Sequence, residues 1–345
     1  RYFETANRAF IIADTPGHVQ YTRNMVTGAS NAELAIVLVD ARNGLTEQSR
    51  RHAILTGLLR VPHLVLAVNK MDLVDYDQAV FDEIKAEFTE LASNFPDMEV
   101  TSIPISALRG DNVVTDSEAM PWYDGPCLLK HLESVRVSTP DQRTGLRFPV
   151  QYVLRAQKTV DYRGYAGQVA GGTVAEGDTV LHLPSGMTST VTSVDTADGA
   201  LAEARPPRSV ALRIADQIDI SRGDMLCSAV AAPSSAEELE ATVCWMAAKP
   251  VLRPGSRLLF KHTTRTVRAV VTDLHYRLDV TTLERGDVEE LELNDIGSVA
   301  LRLAQPVFCD PYEHNRTTGG GLLIDEATNA TVGAVMITRV VSGTD

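Results

Sequence analysis

Short, almost wholly apolar runs alternate with longer amphipathic stretches through the first third of the chain, and this alternation restricts the fold more than any other feature. The apolar runs are residues 10–13, 35–39, 64–68 and 102–105. Strands that helices cover on both faces have this composition, because neither face meets water. Between the runs, residues 47–59 and 78–91 predict helices, and residues 1–10, with a turn at Ala6 and Asn7, predict a hairpin that feeds the sheet. We therefore predict a doubly wound α/β domain whose parallel sheet binds ligands at the carboxyl ends of its strands.

The composition changes after about residue 132, where Val, Thr and turn-forming residues become frequent. Short strands separated by regular turns are typical of small antiparallel barrels. Polar segments at residues 138–142 and 233–237 predict linkers. The predicted organisation is therefore an α/β domain at residues 1–140, followed by two antiparallel β-barrel domains at residues 146–231 and 238–345.

Charge and cysteine content exclude several classes of protein. A formal net charge of −13 disfavours non-specific nucleic-acid binding, which requires a basic surface. The cysteines lie far apart without a CxxC or Cys/His cluster, which is typical of buried thiols in a reducing cytosol and not of a zinc site. The longest apolar runs are too short to span a bilayer, and the N-terminus has no export signal pattern. We expect a cytoplasmic protein that binds neither membrane nor nucleic acid.

The first motif with a clear chemistry is Asp14-Thr15-Pro16-Gly17-His18, directly after the first predicted strand. A carboxylate at a strand end can hold a magnesium-bound water, because Mg²⁺ prefers oxygen ligands and keeps several waters. Gly17 has no Cβ, so its backbone N–H can approach a terminal phosphate. His18 would then stand beside that phosphate, where it could orient an attacking water. Taken alone, the pattern is more typical of a turn that follows a strand.

The second motif, Asn69-Lys70-Met71-Asp72, again follows a buried strand. A carboxylate such as Asp72 can accept two parallel hydrogen bonds from N1–H and the exocyclic amine of guanine, whereas adenine offers no such pair of donors. Asn69 could bridge loops or meet the base edge, and the stem of Lys70 could lie along the ring face. Alone, this tetrapeptide also fits a solvated turn, because Asn and Asp favour turns.

The third motif, Ser106-Ala107-Leu108, follows the last strand of the predicted sheet, and its backbone N–H could meet the guanine O6. This tripeptide carries no information by itself. The three motifs together do, because each lies at the end of a different predicted strand, in the order that a guanine-nucleotide domain requires. The functional interpretation is therefore favoured over three unrelated turns.

On these motifs the chain resembles the translational GTPases, the family of elongation factor Tu, and they correspond to its third, fourth and fifth guanine-binding motifs. The resemblance extends over essentially the whole chain, because the two predicted barrels match the architecture of that family. Within the family, several stretches resemble the large, GTP-hydrolysing subunit of bacterial sulfate adenylyltransferases. These stretches are residues 14–25, 219–224, 243–246, 278–283 and 315–319.

The resemblance implies a P-loop GTPase domain followed by two β-barrels, with GTP and Mg²⁺ as cofactors. It also implies a smaller catalytic partner subunit that forms adenylylsulfate and diphosphate from ATP and sulfate, driven by GTP hydrolysis on this chain. In some bacteria the subunit continues into an adenylylsulfate kinase domain. The implied magnesium ligand, through water, is Asp14, and the implied catalytic residue is His18. The implied GTP-binding residues are Asp14, Thr15, Pro16, Gly17, His18, Asn69, Lys70, Met71, Asp72, Ser106, Ala107 and Leu108.

One departure from the family pattern is the absence of a Gly-x-x-x-x-Gly-Lys-Ser/Thr sequence, the loop that cradles phosphates. We expect that the numbered sequence omits an N-terminal segment, since a parallel sheet without its first strand and helix would expose apolar surface. If the protein truly begins at Arg1, we expect it to bind GTP poorly. Two alternatives stay open: an elongation factor-type GTPase that carries aminoacyl-tRNA, and a scaffold without a working nucleotide site.

Other polar stretches have simpler interpretations. Residues 219–224 resemble a metal loop but lack its later Glu, which favours a barrel turn. Trp245 is expected in a core or against a neighbouring domain. Residues 261–265 and 315–318 place cations beside hydroxyls, as both anion sites and exposed barrel loops do.

Overall fold

The computed structural model of the protein describes residues 1–15, 22–137, 144–155, 162–280 and 282–341. The chain forms two compact units: residues 1–138 together with 279–284, and residues 139–278 together with 285–345. The predicted linker at residues 138–142 lies outside the described residues. None of the helices in the described ranges combines the length and the apolar character needed to cross a membrane.

The first unit opens with the predicted hairpin, formed by the antiparallel strands β1 (Tyr2–Glu4) and β2 (Ala9–Ile11). The rings of Phe3 and Phe10 stack across it, with centroids 4.6 Å apart. Among the described residues these two strands form a sheet of their own and do not pair with the parallel sheet that follows. Strand β2 also ends earlier than predicted, at Ile11.

The predicted alternation of strands and helices continues. Its elements are α1 (Thr22–Ala29), β3 (Leu34–Asp40), α2 (Glu47–Leu58), β4 (His63–Asn69), α3 (Gln78–Ala92), β5 (Glu99–Pro104) and α4 (Leu128–Ser134). Two of these helices, α1 and α4, were not predicted. Strands β3, β4 and β5 pair in parallel in that order, which confirms the α/β prediction.

Local sequence explains where the helices begin. The Thr46 hydroxyl accepts a hydrogen bond from the N–H of Ser49 at 3.2 Å, and the Asp77 carboxylate accepts one from the N–H of Ala79 at 2.8 Å. Each side chain satisfies an N–H that the first helical turn leaves without a partner, so α2 begins at Glu47 and α3 at Gln78.

Burial within the sheet follows strand position. The central strand β4 is buried almost from end to end, because α2 and α3 pack on one of its faces and Val113, Tyr123 and Leu128 pack on the other. The neighbouring strand β3 lies at the edge of the described sheet and leaves Ile36 and Leu38 exposed at 43% and 61%.

The second unit consists of antiparallel strands. The first group is β6 (Arg147–Arg155), β7 (Arg163–Gln168), β8 (Val174–Ala175), β9 (Thr179–Leu183), β10 (Met187–Thr196), β11 (Gly199–Leu201), β12 (Glu203–Ala204), β13 (Ser209–Ile214) and β14 (Met225–Ser228). Strands β6, β7, β13, β10, β9 and β14 pair in a closed ring, and Tyr165, Phe148 and Leu226 fill its interior. This is the first barrel, and it confirms the predicted barrel architecture.

A second closed ring follows in the same unit. Its strands are β15 (Ser234–Trp245), β16 (Arg257–His262), β17 (Arg265–Leu278), β18 (Arg285–Gly286), β19 (Ile296–Cys309), β20 (Gly320–Ile324) and β21 (Thr331–Val341). The ring runs β15, β19, β17, β16, β20 and β21, with β18 added beside β17. Trp245 is fully buried in this second barrel and donates its Nε1–H to the carbonyl oxygen of Pro250 at 3.2 Å, as expected for a core residue.

Two sequence-based expectations need correction here. Residues 233–237 were expected to form a linker, but β15 begins at Ser234, which pairs with Cys309, because the buried side chain of Ala236 anchors this polar segment to the barrel. In the stretch 315–318, Asn315 and Thr318 are buried and hydrogen-bonded within the protein, so these two residues belong neither to an exposed barrel loop nor to an exposed anion site.

Candidate nucleotide-binding site

The loops that carry the second and third motifs lie side by side at the carboxyl edge of the parallel sheet. Asn69 ends β4, and Ser106 follows β5 by two residues. The N–H of Ile105 donates to the carbonyl oxygen of Val68 at 2.8 Å, and the N–H of Met71 donates to the carbonyl oxygen of Ile105 at 3.2 Å. These backbone bonds extend the strand pairing into the loops and bring the two motifs together.

Asn69 connects the two loops through its side chain. Its Oδ1 accepts hydrogen bonds from the backbone N–H of Lys70 at 2.8 Å and from the backbone N–H of Ala107 at 3.0 Å. One amide oxygen therefore fixes the direction of its own loop and holds the neighbouring loop beside it. The amide nitrogen remains available for a ligand at this edge of the sheet.

Asp72 and Ser106 form the second connection. The buried hydroxyl of Ser106 donates to Oδ1 of Asp72 at 2.6 Å, and its oxygen accepts the backbone N–H of Arg109 at 3.2 Å. A carboxylate has about four lone-pair sites, so one bond from a hydroxyl leaves most of its capacity to accept hydrogen bonds. The Asp72 carboxylate is therefore held in a fixed orientation while it stays able to receive two parallel donors.

Lys70 adopts the left-handed conformation, with φ of 66°, which turns the chain sharply between Asn69 and Asp72. Its Nζ donates to Oδ2 of Asp40 at 2.7 Å. Arg42 binds the same carboxylate, with Nε 3.0 Å from Oδ1 and Nη2 2.7 Å from Oδ2. The hydrogen bond from Arg42, and after it that from Lys70, holds the pKa of the Asp40 carboxyl well below its usual range, although burial acts in the opposite direction.

Asp40 belongs to none of the three predicted motifs. It ends β3 and lies directly opposite Asn69 in the register of β3 and β4. A signal was present, because an acidic residue at the carboxyl end of a predicted strand lies at the ligand-binding edge of a parallel sheet.

The remaining residues of the second and third motifs differ in exposure. Met71 is completely buried in the core of the first unit, so its side chain supports the loop and does not face a ligand. Ala107 is exposed, and Leu108 is exposed at 83%, an unusual position for a leucine in a folded domain. Both belong to the loop that follows β5.

The first motif is described only in part. Asp14 is exposed and Thr15 is half-buried. The Cγ2 of Thr15 lies 2.9 Å from the position that a Cβ on Gly28 would occupy, so this part of the motif packs closely against α1. Pro16, Gly17 and His18 lie outside the described residues. Among the residues that are described, no cluster of three or more His, Cys, Asp or Glu side chains is placed to hold a metal ion.

Comparison with known proteins agrees with this arrangement. Residues 1–154 match the family described as elongation factor Tu GTP binding domain, and residues 238–338 match the GTP-eEF1A C-terminal domain-like family. A solved structure of sup35 complexed with GMPPNP has a TM-score of 0.55 over 99% of this chain and 84% of that one. Its sequence identity of 23% makes it a likeness of fold only.

Curated relatives are considerably more similar in sequence. The bifunctional enzyme CysN/CysC of Mycobacterium tuberculosis is 55% identical over 345 residues, which is 99% of this chain and 56% of that protein. The chain thus spans little more than half the length of that relative. Sulfate adenylyltransferase subunit 1 of Alteromonas mediterranea is 46% identical over 343 residues, 99% of this chain and 72% of that protein. The chain therefore belongs to the family of sulfate adenylyltransferase subunit 1.

Proposed function

We propose that the protein containing this chain binds and hydrolyses GTP, and that this hydrolysis drives adenylylsulfate formation by a partner subunit. The observation that carries the proposal is the double connection between the loops after β4 and β5, made by Asn69 with Ala107 and by Asp72 with Ser106. These bonds fix the groups that can read a guanine base before any base arrives, which lowers the entropic cost of binding.

Residues of the loops after β4 and β5 each recognise a different part of the guanine base. Asp72 accepts the N1–H and the exocyclic amine of guanine, and the loop of Ser106 and Ala107 completes the base pocket on the O6 side. The stem of Lys70, whose Nζ is held by Asp40, lies along one face of the ring, and the exposed side chain of Leu108 covers the other. Adenine would leave Asp72 desolvated without donors, at a cost of about 1–3 kcal/mol.

The phosphate end of the site belongs to the first motif. Asp14 is an exposed carboxylate, and its hard oxygen atoms fit a magnesium ion that keeps its waters, which would neutralise charge on the phosphates. In the proposed arrangement the N–H of Gly17 binds the γ-phosphate and His18 orients the attacking water. Thr15 and Pro16 complete the proposed nucleotide-binding residues of this motif.

In this proposal, GTP hydrolysis is coupled to adenylylsulfate synthesis by the partner subunit. Sulfate is a poor nucleophile and the mixed anhydride in adenylylsulfate is high in energy, so its synthesis from ATP and sulfate benefits from a second hydrolysis. The family assignment and the subunit name of the relatives support a smaller catalytic partner. The bifunctional relative supports a kinase domain further along some parent chains. The proposal includes a cytoplasmic location and a division into an α/β domain at residues 1–140 and two barrels, the first at residues 146–231 and the second beginning with β15 at Ser234.

Base specificity tests the nucleotide site. Asp72→Asn in the full-length protein should weaken GDP binding about 10- to 100-fold and improve binding of xanthosine diphosphate, because the amide offers a donor where the carboxylate accepted. Asp75→Asn is a matched control, since Asp75 is an exposed acid of the same loop whose left-handed φ of 49° suits Asn. Unchanged GDP preference in the Asp72 variant would remove Asp72 from the base pocket.

The proposed catalytic residue has its own test. His18→Ala should slow single-turnover GTP hydrolysis and leave GDP affinity nearly unchanged, because the imidazole acts on the attacking water and not on the bound diphosphate. Equal turnover in the variant and the wild type would exclude His18 from the mechanism.

A further inference from the structure

Two consecutive residues with side chains, Asp75 and Tyr76, adopt left-handed backbone conformations just after the Asn69 to Asp72 loop, with φ of 49° and 56°. L-residues other than glycine rarely adopt this region, and two in succession persist only when surrounding contacts hold them. The contacts are present: the N–H of Tyr76 donates to the carbonyl oxygen of Met71 at 2.9 Å, and Trp122 Nε1 donates to the carbonyl oxygen of Tyr76 at 3.0 Å.

This strained turn carries the Tyr76 ring to the neighbouring loop. The Tyr76 hydroxyl donates to Oδ2 of Asp111 at 2.8 Å. The other carboxylate oxygen, Oδ1, accepts the Ser117 hydroxyl at 2.7 Å, so the carboxylate is held on both sides. Both Tyr76 and Asp111 are half-buried, which shields the bond from competing water.

Asp111 also closes the loop of the third motif. The N–H of Ser106 donates to the carbonyl oxygen of Asp111 at 3.1 Å, and the N–H of Gly110 donates to the carbonyl oxygen of Ser106 at 2.8 Å. Residues 106–111 therefore form a closed turn, and residues 71–76 form another. The two turns are joined at one end by Ser106 and Asp72 and at the other by Asp111 and Tyr76.

We propose that Tyr76 and Asp111 act as a positioning pair that sets guanine specificity by fixing the distance between the two base-reading loops. Neither residue belongs to the motifs that contact the base. Without the outer bond, the loops stay joined at one end by Ser106 with Asp72 and by Ala107 with Asn69, but their spacing at the other end is no longer fixed. The Asp72 carboxylate is then held less firmly towards the base edge. The inference rests on the proposed guanine-nucleotide function and adds a specificity determinant to it.

The test compares binding of GDP and inosine diphosphate to the full-length protein, because inosine lacks only the exocyclic amine that Asp72 reads. Tyr76→Phe keeps the ring and removes the hydroxyl. It should weaken GDP binding about 3- to 10-fold and weaken inosine diphosphate binding less, so that discrimination between the two falls. Asp111→Ala removes this bond together with the one from Ser117, so its effect should be at least as large. The double variant should be no worse than Asp111→Ala alone, because the bond from Tyr76 is already lost in that variant.

A matched control is Tyr162→Phe, which removes a comparable bond in the first barrel, from the Tyr162 hydroxyl to Oδ2 of Asp195 at 3.0 Å. It should leave both dissociation constants unchanged. If Tyr76→Phe lowers the melting temperature while discrimination stays at the wild-type ratio, the pair has a structural role only and the inference is wrong. If the wild-type protein itself does not prefer GDP to inosine diphosphate, the proposed guanine site fails, a result distinct from failure of the pair alone.

Discussion

Arg147 and Asp310 form a bidentate ion pair, with Nε 2.8 Å from Oδ2 and Nη2 2.7 Å from Oδ1, where only 3% and 7% of the two residues are exposed. Arg147 begins β6 of the first barrel, and Asp310 follows β19 of the second. The Thr318 hydroxyl adds a hydrogen bond to Asp310 Oδ2 at 2.5 Å. Burial acts to raise the pKa of Asp310, but the bonds from Arg147 and Thr318 and the charge of Arg147 hold it below the usual range.

Removing one partner of this pair should be strongly destabilising. Arg147→Met leaves the Asp310 carboxylate buried without its cation, and such a loss costs about 3–5 kcal/mol of unfolding free energy. Denaturant unfolding at pH 7 measures the change. The control is the double change Arg147→Met with Asp310→Leu, which removes both charges and should recover much of the loss. A double variant less stable than Arg147→Met would contradict the assignment of the loss to an unpaired charge.

His262 should make stability depend on pH. Burial lowers its pKa below 6.5, and its Nε2 lies 2.7 Å from the carbonyl oxygen of Thr318. The folded protein therefore holds His262 neutral while the unfolded chain binds a proton below pH 6.5. The contribution of neutral His262 to the free energy of unfolding is therefore fully present above pH 6.5. It is lost as the pH falls below 6.5, by up to about 1.4 kcal/mol per pH unit for one proton.

His262→Gln isolates this contribution. The glutamine amide can donate to the same carbonyl oxygen and does not titrate. The unfolding free energy of this variant should change less between pH 7 and pH 5 than that of the wild type. His52 and His131, whose pKa values burial also lowers, continue to contribute in both proteins. Identical pH slopes would show that His262 protonates in the folded state as readily as in the unfolded chain.

Asp40 should matter for nucleotide binding, although no motif contains it. Asp40→Asn removes the charge that holds Lys70 Nζ, and GDP affinity should fall about 3- to 10-fold as the lysine stem becomes free to move. Arg42→Ala is the control, because it removes the other cation on Asp40 and leaves the bond to Lys70. The dissociation rate of a fluorescent GDP analogue measures the effect of each of the two variants. An equal effect of the two changes would argue against positioning through Lys70.

Gly167 should not tolerate a side chain. A Cβ at this position of β7 would lie 2.4 Å from the backbone carbonyl oxygen of Pro149 in β6, so the paired strands would have to separate. We expect Gly167→Ala to destabilise the protein by about 1–3 kcal/mol. Gly286→Ala, at a strand position with no atom within 4 Å of the added Cβ, should change stability by less than about 0.5 kcal/mol. Comparable melting temperatures for both variants would contradict the steric argument.

The α/β order and the barrels could be predicted because their signals are local. Apolar runs such as 64–68 mark buried strands, and Thr46 and Asp77 sit where helix N-caps are needed. The loop motifs could also be predicted from local sequence. An Asn or Asp at the carboxyl end of a strand lies at the ligand-binding edge of a parallel sheet, and this does not depend on contacts with distant residues.

Features that depend on strand register, or on contacts between residues far apart in the sequence, could not be predicted. Asp40 joins the site only because β3 and β4 align it opposite Asn69. Arg147 and Asp310 are 163 residues apart, and neither lies in a recognisable pattern. The start of β15 at Ser234 could not be predicted because its polar residues resemble a linker. Only the structure shows that Ala236 is buried and that this segment belongs to the barrel.

The most direct test of the proposed function is GTP hydrolysis by the full-length protein in the presence of its smaller partner subunit, ATP and sulfate, with each omitted in turn. We expect that stimulation requires all three and that adenylylsulfate accumulates in step with GDP. Hydrolysis that is indifferent to sulfate and is stimulated by ribosomes would contradict it and favour an elongation factor-type function.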